Sequence, residues 1–139
     1  MVKVYSNIIP PAGYKALTIW PILFIRKKMK AWFTEEDERH EKIHGRQQEE
    51  LLFVGAVIAA VLYVVGCGWW SLLALPLAFY LYGILYLVCL IRYRNHKMAY
   101  RNNPFEAEAY LFEADIYYLS RRKHFAWVGY IGKTTYSNT

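Results

Sequence analysis

From residue 51 to residue 91 the chain carries no Asp, Glu, Lys or Arg. A run of that length is about twice the roughly 20 residues that cross a bilayer as a helix. Lipid offers the backbone no hydrogen-bond partners, so a lipid-facing run of this kind must satisfy itself as helix. Gly66-Cys67-Gly68 interrupts it near the middle, a turn signal. Two helices joined by a tight turn are expected, at 51–65 and at 69–93, with Trp69 and Trp70 at the turn as interfacial aromatics. Pro76 falls one to two turns into the second helix, where a kink is expected. A buried hairpin of a soluble protein is the less favoured alternative, because a chain of 139 residues leaves little polar surface to wrap so much apolar helix.

All seventeen basic residues lie outside that run, nine before it and eight after it. Lys and Arg hold short flanks on the cytoplasmic side, so both termini are expected there. The net charge of +6 is then accounted for by topology and by anionic lipid heads. Arg26-Lys27-Lys28 with Lys30, and Arg121-Arg122-Lys123, are the clusters that would meet them. Nucleic-acid binding is not required. No cleavable signal pattern is expected, since Pro10-Pro11 break the first apolar stretch. Cys67 and Cys89 fall at opposite ends of the second helix, roughly 30 Å apart at 1.5 Å per residue, which excludes an intrachain disulfide.

The remainder reads as one membrane-embedded domain over 1–139, without repeats. Residues 1–33 are expected to be extended, and the β-branched and aromatic run from Tyr14 to Ile25 is an edge strand or a strand pair bent at Pro21. Thr34 followed by Glu35, Glu36 and Asp37 starts a helix with a Thr-x-x-Asp capping box, and this helix is expected to run over 34–65 into the first span. Asn103 as N-cap and Pro104 at the first helical position begin another helix, expected over 103–119. The tail at 120–139 is expected to be an interfacial strand or loop with a frayed end. The fold class is therefore a mainly α membrane protein: a two-span hairpin, two helices on the cytoplasmic side and an extended N-terminal segment.

On the capped helix lies His40-Glu41-Lys42-Ile43-His44. Residues four apart share a helix face, so His40 and His44 can offer nitrogens to one zinc ion with Glu41 beside them as general base. Catalytic zinc needs a third protein ligand. The hairpin returns the chain to the same side of the membrane, where Glu106 or Glu108 can serve. The two point about 200° apart around a helix, so only one can be the ligand. Gln48, four residues beyond His44, can orient a ligand or touch substrate. Tyr110 can donate to an oxyanion, with packing as the competing role. His96 and His124 are expected at the surface near lipid heads. In a metallopeptidase an edge strand beside the active helix can hold an extended substrate by strand addition.

The motif, the two apolar spans and the segment Phe105-Glu106-Ala107-Glu108-Ala109 together resemble the integral-membrane zinc peptidases of the CAAX-prenyl-protease and stress-protease type. In that family an HExxH helix is followed by membrane helices and a Glu-x-x-Ala-Asp motif. The resemblance covers roughly residues 38–112 and implies Glu106 as third zinc ligand. Ala109 matches the family's alanine, and Tyr110 stands where the family has Asp. The chain also resembles a family of small bacterial membrane proteins with a His-Glu-x-x-His-x-x-Gln-Gln core and a Phe-Glu-x-Glu-Ala-Tyr segment. Gln47, Gln48, Tyr100, Arg101 and Tyr110 match that pattern.

These readings converge on a membrane-bound zinc metallopeptidase of the bacterial inner membrane, cleaving a peptide or membrane-protein substrate at the cytoplasmic surface. The competing expectation is a non-enzymatic subunit or scaffold of a larger membrane complex, or a homo-oligomer, with a structural or vestigial metal site.

Overall fold

Val2–Ser6 (β1), Ala16–Ile19 (β2) and Ile22–Arg26 (β3) form a small sheet in the computed structural model, which describes residues 1–138. The strand order is β1-β3-β2, with β1 parallel and β2 antiparallel to β3. The strand pair bent at Pro21 is thus present, and β1 is added to it. Leu23 and Ile25 alternate along β3, and Thr18 lies opposite Leu23, so the three share a face. All three are buried.

That face lies on the first long helix, α1, at Glu35–Leu62. Its start is the expected capping box: Thr34 Oγ1 accepts from the Asp37 N–H at 3.1 Å, and Asp37 Oδ2 accepts from the Thr34 N–H at 2.8 Å. Lys3 to Glu38 at 2.7 Å and Lys15 to Asp37 at 3.1 Å tie the sheet to its first turns. Helical structure continues past α1 through a wide π turn to Ala74, reversing at Gly66, whose φ of 100° favours glycine. Within Glu35–Ala74 an 18-residue window has mean hydropathy 2.5 and is only 17% buried. This stretch is long and apolar enough to cross a membrane.

The second apolar helix, α2, starts at Leu77 and runs to Tyr93, later than the expected 69. Two local effects delay it. Gly68–Ala74 winds as a tighter 3-10 helix, and Pro76, lacking an N–H, ends that segment and starts α2 instead of kinking it. A close approach joins the two arms: a Cβ on Gly55 would lie 2.4 Å from the Ala74 carbonyl oxygen.

Two short helices follow. His96–Arg101 (α3) was not expected; Asn95 caps it by accepting from the Met98 N–H at 3.0 Å. Pro104–Phe112 (α4) begins at Asn103 and Pro104 as expected but stops seven residues before 119. The Glu113 carbonyl is taken by Arg39 Nε at 2.6 Å, and Asp115 Oδ1 accepts from the Tyr117 N–H at 3.0 Å. Both contacts turn the chain before Tyr118–Arg121 (α5). The tail holds a 3-10 turn at Ala126–Tyr130 and no strand among the described residues; its last residue, Thr139, lies outside them.

α4 packs along α1. Ile43, Ala109 and Tyr118 form one buried cluster, and Leu51, Phe105 and Trp127 a second that includes Leu77 and Leu81 of α2. Burial of a side chain such as Ile43 or Phe105 contributes about 1.5–3 kcal/mol each. These clusters hold one face of α1 against one face of α4, and the site is built between them.

Candidate metal centre

His40 and His44 stand one turn apart on the face of α1 that meets α4, and α4 brings Glu106 between them. His40 Nε2 lies 3.1 Å from His44 Nε2. Glu106 Oε2 lies 3.3 Å from the first and 3.5 Å from the second. Ligand atoms set tetrahedrally at roughly 2.0–2.1 Å around one ion are ~3.3–3.4 Å apart. The three spacings bracket that value, and the group can hold a metal ion.

The surroundings favour the same use. His40 Nδ1 donates to Glu113 Oε2 at 2.8 Å, and His44 Nδ1 donates to Gln47 Oε1 at 2.8 Å. With both Nδ1 atoms carrying hydrogen, the neutral form of each ring presents its Nε2 lone pair to a cation. Glu106 Oε1 accepts from the Tyr82 hydroxyl at 2.8 Å, whereas Oε2 is buried without a hydrogen-bond partner. A buried carboxylate oxygen left unpaired is costly, and this one points at the two imidazoles.

Without a cation the cluster stores charge of its own. Burial opposes protonation of His40, but Glu106 and Glu113 beside it lift it to about 9. Burial likewise opposes the charge on His44, which Glu106 raises. Burial would raise the Glu106 carboxyl; the His44 and His40 rings hold it well below the usual carboxylate range.

The choice left open between the two glutamates is resolved in position. Glu106 faces the histidines, and Glu108, fully buried, faces away. Glu108 accepts from Tyr118 at 2.9 Å and from Arg122 Nε at 2.5 Å, and Arg122 also reaches Glu50 at 2.5 Å. Glu108 still bears on the site through Gln47, whose Nε2 donates to Glu108 Oε2 and to the Phe105 carbonyl, both at 3.0 Å. Gln47 thereby fixes His44 to α4.

Glu41, together with His40, His44 and Glu106, lines a cavity of about 470 Å³. Its Oε2 accepts from Thr18 Oγ1 at 2.7 Å, which aims the carboxylate. Gln48 holds β2 in place: its Nε2 donates to the Thr18 carbonyl and its Oε1 accepts from the Trp20 N–H, each at 2.8 Å. Arg26 N–H bonds the Lys15 carbonyl, so the alternate residues Ala16 and Thr18 turn their backbone away from β3; on that edge Gln48 takes the Thr18 carbonyl. Tyr110 packs its ring on His40, centroids 4.5 Å apart; this is the packing role. His124 is 90% exposed; His96 is exposed but lines the same cavity, and neither belongs to the metal group.

Thr18, Tyr82 and Glu113 were missed in the sequence, and Gln47 was matched only as part of a pattern. Gln47 could have been found, since it is on the face of His40 and His44 at helical spacing. No local signal marks the other three. Both cysteines are free thiols. No protein-family model, curated protein or solved structure matches the chain.

Proposed function

We propose that the chain is a membrane-bound zinc metallopeptidase. The observation that carries this reading is the convergence of His40 Nε2, His44 Nε2 and Glu106 Oε2 within 3.1–3.5 Å of one another, with Glu41 at the cavity side. His40, His44 and Glu106 would hold the zinc ion, which when bound would supply Lewis acidity toward water and a peptide carbonyl. Glu41 takes the proton of the attacking water and delivers it to the leaving amine. Thr18 keeps the Glu41 carboxylate turned toward the cavity. Glu113 and Gln47 hold the imidazoles in the tautomer that presents Nε2. The edge of β2 at Ala16, beyond the Thr18 carbonyl that Gln48 takes, receives the substrate backbone as an added strand.

Both apolar arms cross the membrane in this reading, with both termini cytoplasmic in a bacterial inner membrane. The cavity wall formed by Ala78, Phe79, Tyr82 and Tyr86 belongs to the apolar α2, and this favours a peptide or membrane-protein segment presented from the lipid side. The decisive comparison is cleavage of a labelled unfolded casein by purified protein loaded with zinc. Wild type is expected to cleave it, and Glu41→Gln is expected to retain zinc and lose cleavage by at least about 100-fold. Equal cleavage by wild type and Glu41→Gln removes the peptidase reading. Zinc uptake with no cleavage in either leaves a structural metal site in a scaffold protein.

A further inference from the structure

His40 is held at Nδ1 by Glu113 and meets His44 and Glu106 at Nε2, contacts at two ends of the ring that leave its tilt about the line between them to packing. Outside the metal group, the ring that packs on it is Tyr110, edge-on at 4.5 Å with 65° between planes. Tyr110 is in turn covered by Arg101, whose guanidinium carbon lies 3.7 Å from the Tyr110 ring centroid. On its far side that guanidinium faces Tyr136, at 4.8 Å. Arg101 Nε is buried with no hydrogen-bond partner, and no carboxylate ion-pairs with Arg101 among the described residues, so the two aromatic faces are what hold it.

Tyr136 is itself fixed. Asn102, almost fully buried, accepts from the Tyr136 N–H at 2.9 Å through Oδ1 and donates to the Tyr136 carbonyl at 2.9 Å through Nδ2. The same Oδ1 accepts from the Thr135 N–H at 2.7 Å, and Arg92 donates to the Gly132 carbonyl at 2.8 Å. A tail expected to fray is therefore seated on α3 and on the end of α2.

We infer that Tyr136 is a positioning residue for His40, acting through Arg101 and Tyr110, so that the C-terminal segment sets the geometry of the metal centre from outside it. The inference rests on the metal-centre reading above. A guanidinium pressed between two rings cannot slide; with Tyr136 removed, Arg101 relaxes toward solvent, Tyr110 loses backing and the His40 ring gains freedom. Residues that orient ligands without touching the metal change its affinity by about 10–100-fold; the lower end suits a contact two residues removed.

The test is zinc affinity of the full chain in detergent, by chelator competition, with the cobalt-substituted absorption spectrum as a second readout and thermal unfolding of the metal-free protein as a check on folding. Tyr136→Leu is expected to weaken zinc binding about tenfold and to alter the cobalt spectrum, while Tyr136→Phe, which keeps the ring, retains wild-type values in both. Arg101→Lys keeps the charge and loses the planar face; it carries the expectation of Tyr136→Leu and replaces that variant should it not fold. Wild-type affinity in Tyr136→Leu or Arg101→Lys, or equal losses in Tyr136→Leu and Tyr136→Phe, overturns the inference and leaves the metal centre standing. Absence of zinc binding by the wild type overturns both.

Discussion

Glu113 Oε2 receives the Nδ1–H of His40 at 2.8 Å across 73 residues of sequence. In the neutral ring the bond selects the tautomer that presents Nε2 to a metal, and it is made where α4 has already ended. Removing the acceptor with Glu113→Ala should lower zinc affinity by about tenfold or more, whereas Glu113→Gln, which keeps an acceptor oxygen, should lose less. Competition titration with a fluorescent chelator measures both.

The Arg122 guanidinium binds two carboxylates in the interior, with side chains of Arg122, Glu50 and Glu108 exposed by only 4%, 8% and 0%. Replacing it leaves two buried negative charges with only the exposed His124 imidazole, 3.3 Å from Glu50, beside them. Arg122→Met is expected to destabilise the fold by about 3–5 kcal/mol, measured by denaturant or thermal unfolding in detergent. Arg122→Met combined with Glu50→Gln and Glu108→Gln should recover a substantial part of the loss.

Gly55 lets α1 approach the returning 3-10 segment, for a Cβ there would meet the Ala74 and Leu75 carbonyl oxygens at 2.4 and 3.2 Å. These are backbone atoms and cannot rotate away. Gly55→Ala should therefore cost about 1–3 kcal/mol through overpacking, seen as a lower unfolding midpoint in detergent.

Asp37 caps α1, and its carboxyl titrates below its ordinary value of 3.8. Burial acts against the shift, while the Thr34 backbone N–H and the Lys15 ammonium outweigh it. A carboxyl lowered in the folded state contributes stability that is present above pH 3.8 and lost as pH falls through the folded value. The stability gap between wild type and Asp37→Asn should be full at pH 7 and shrink progressively once pH drops below about 4. Unfolding midpoints across that range check it; a gap independent of pH contradicts the assignment.

Local chemistry made much of this molecule legible. Thr34 and Asp37 announced the helix that carries His40 and His44, Asn103 and Pro104 announced the one that carries Glu106, and Pro21 marked the bend between two strands. Each of those signals acts over three or four residues. The groups that finish the site act over much longer separations: Thr18 reaches Glu41, Tyr82 reaches Glu106 and Arg39 reaches Glu113. None of these contacts leaves a periodicity to read. The early end of α4 has the same origin, since the Glu113 carbonyl is claimed by Arg39 from another helix. The late start of α2 is different, for Pro76 was visible and it begins the helix instead of kinking it.

The most direct test of the metal centre is zinc content per chain, by elemental analysis of detergent-purified wild type, His44→Ala, Glu106→Ala and Glu108→Ala. One zinc per chain in wild type, retained though more weakly held in Glu108→Ala and lost in His44→Ala and Glu106→Ala, is the expected result. Wild-type protein without zinc, or Glu106→Ala protein that keeps it as tightly as wild type, contradicts the assignment of His40, His44 and Glu106.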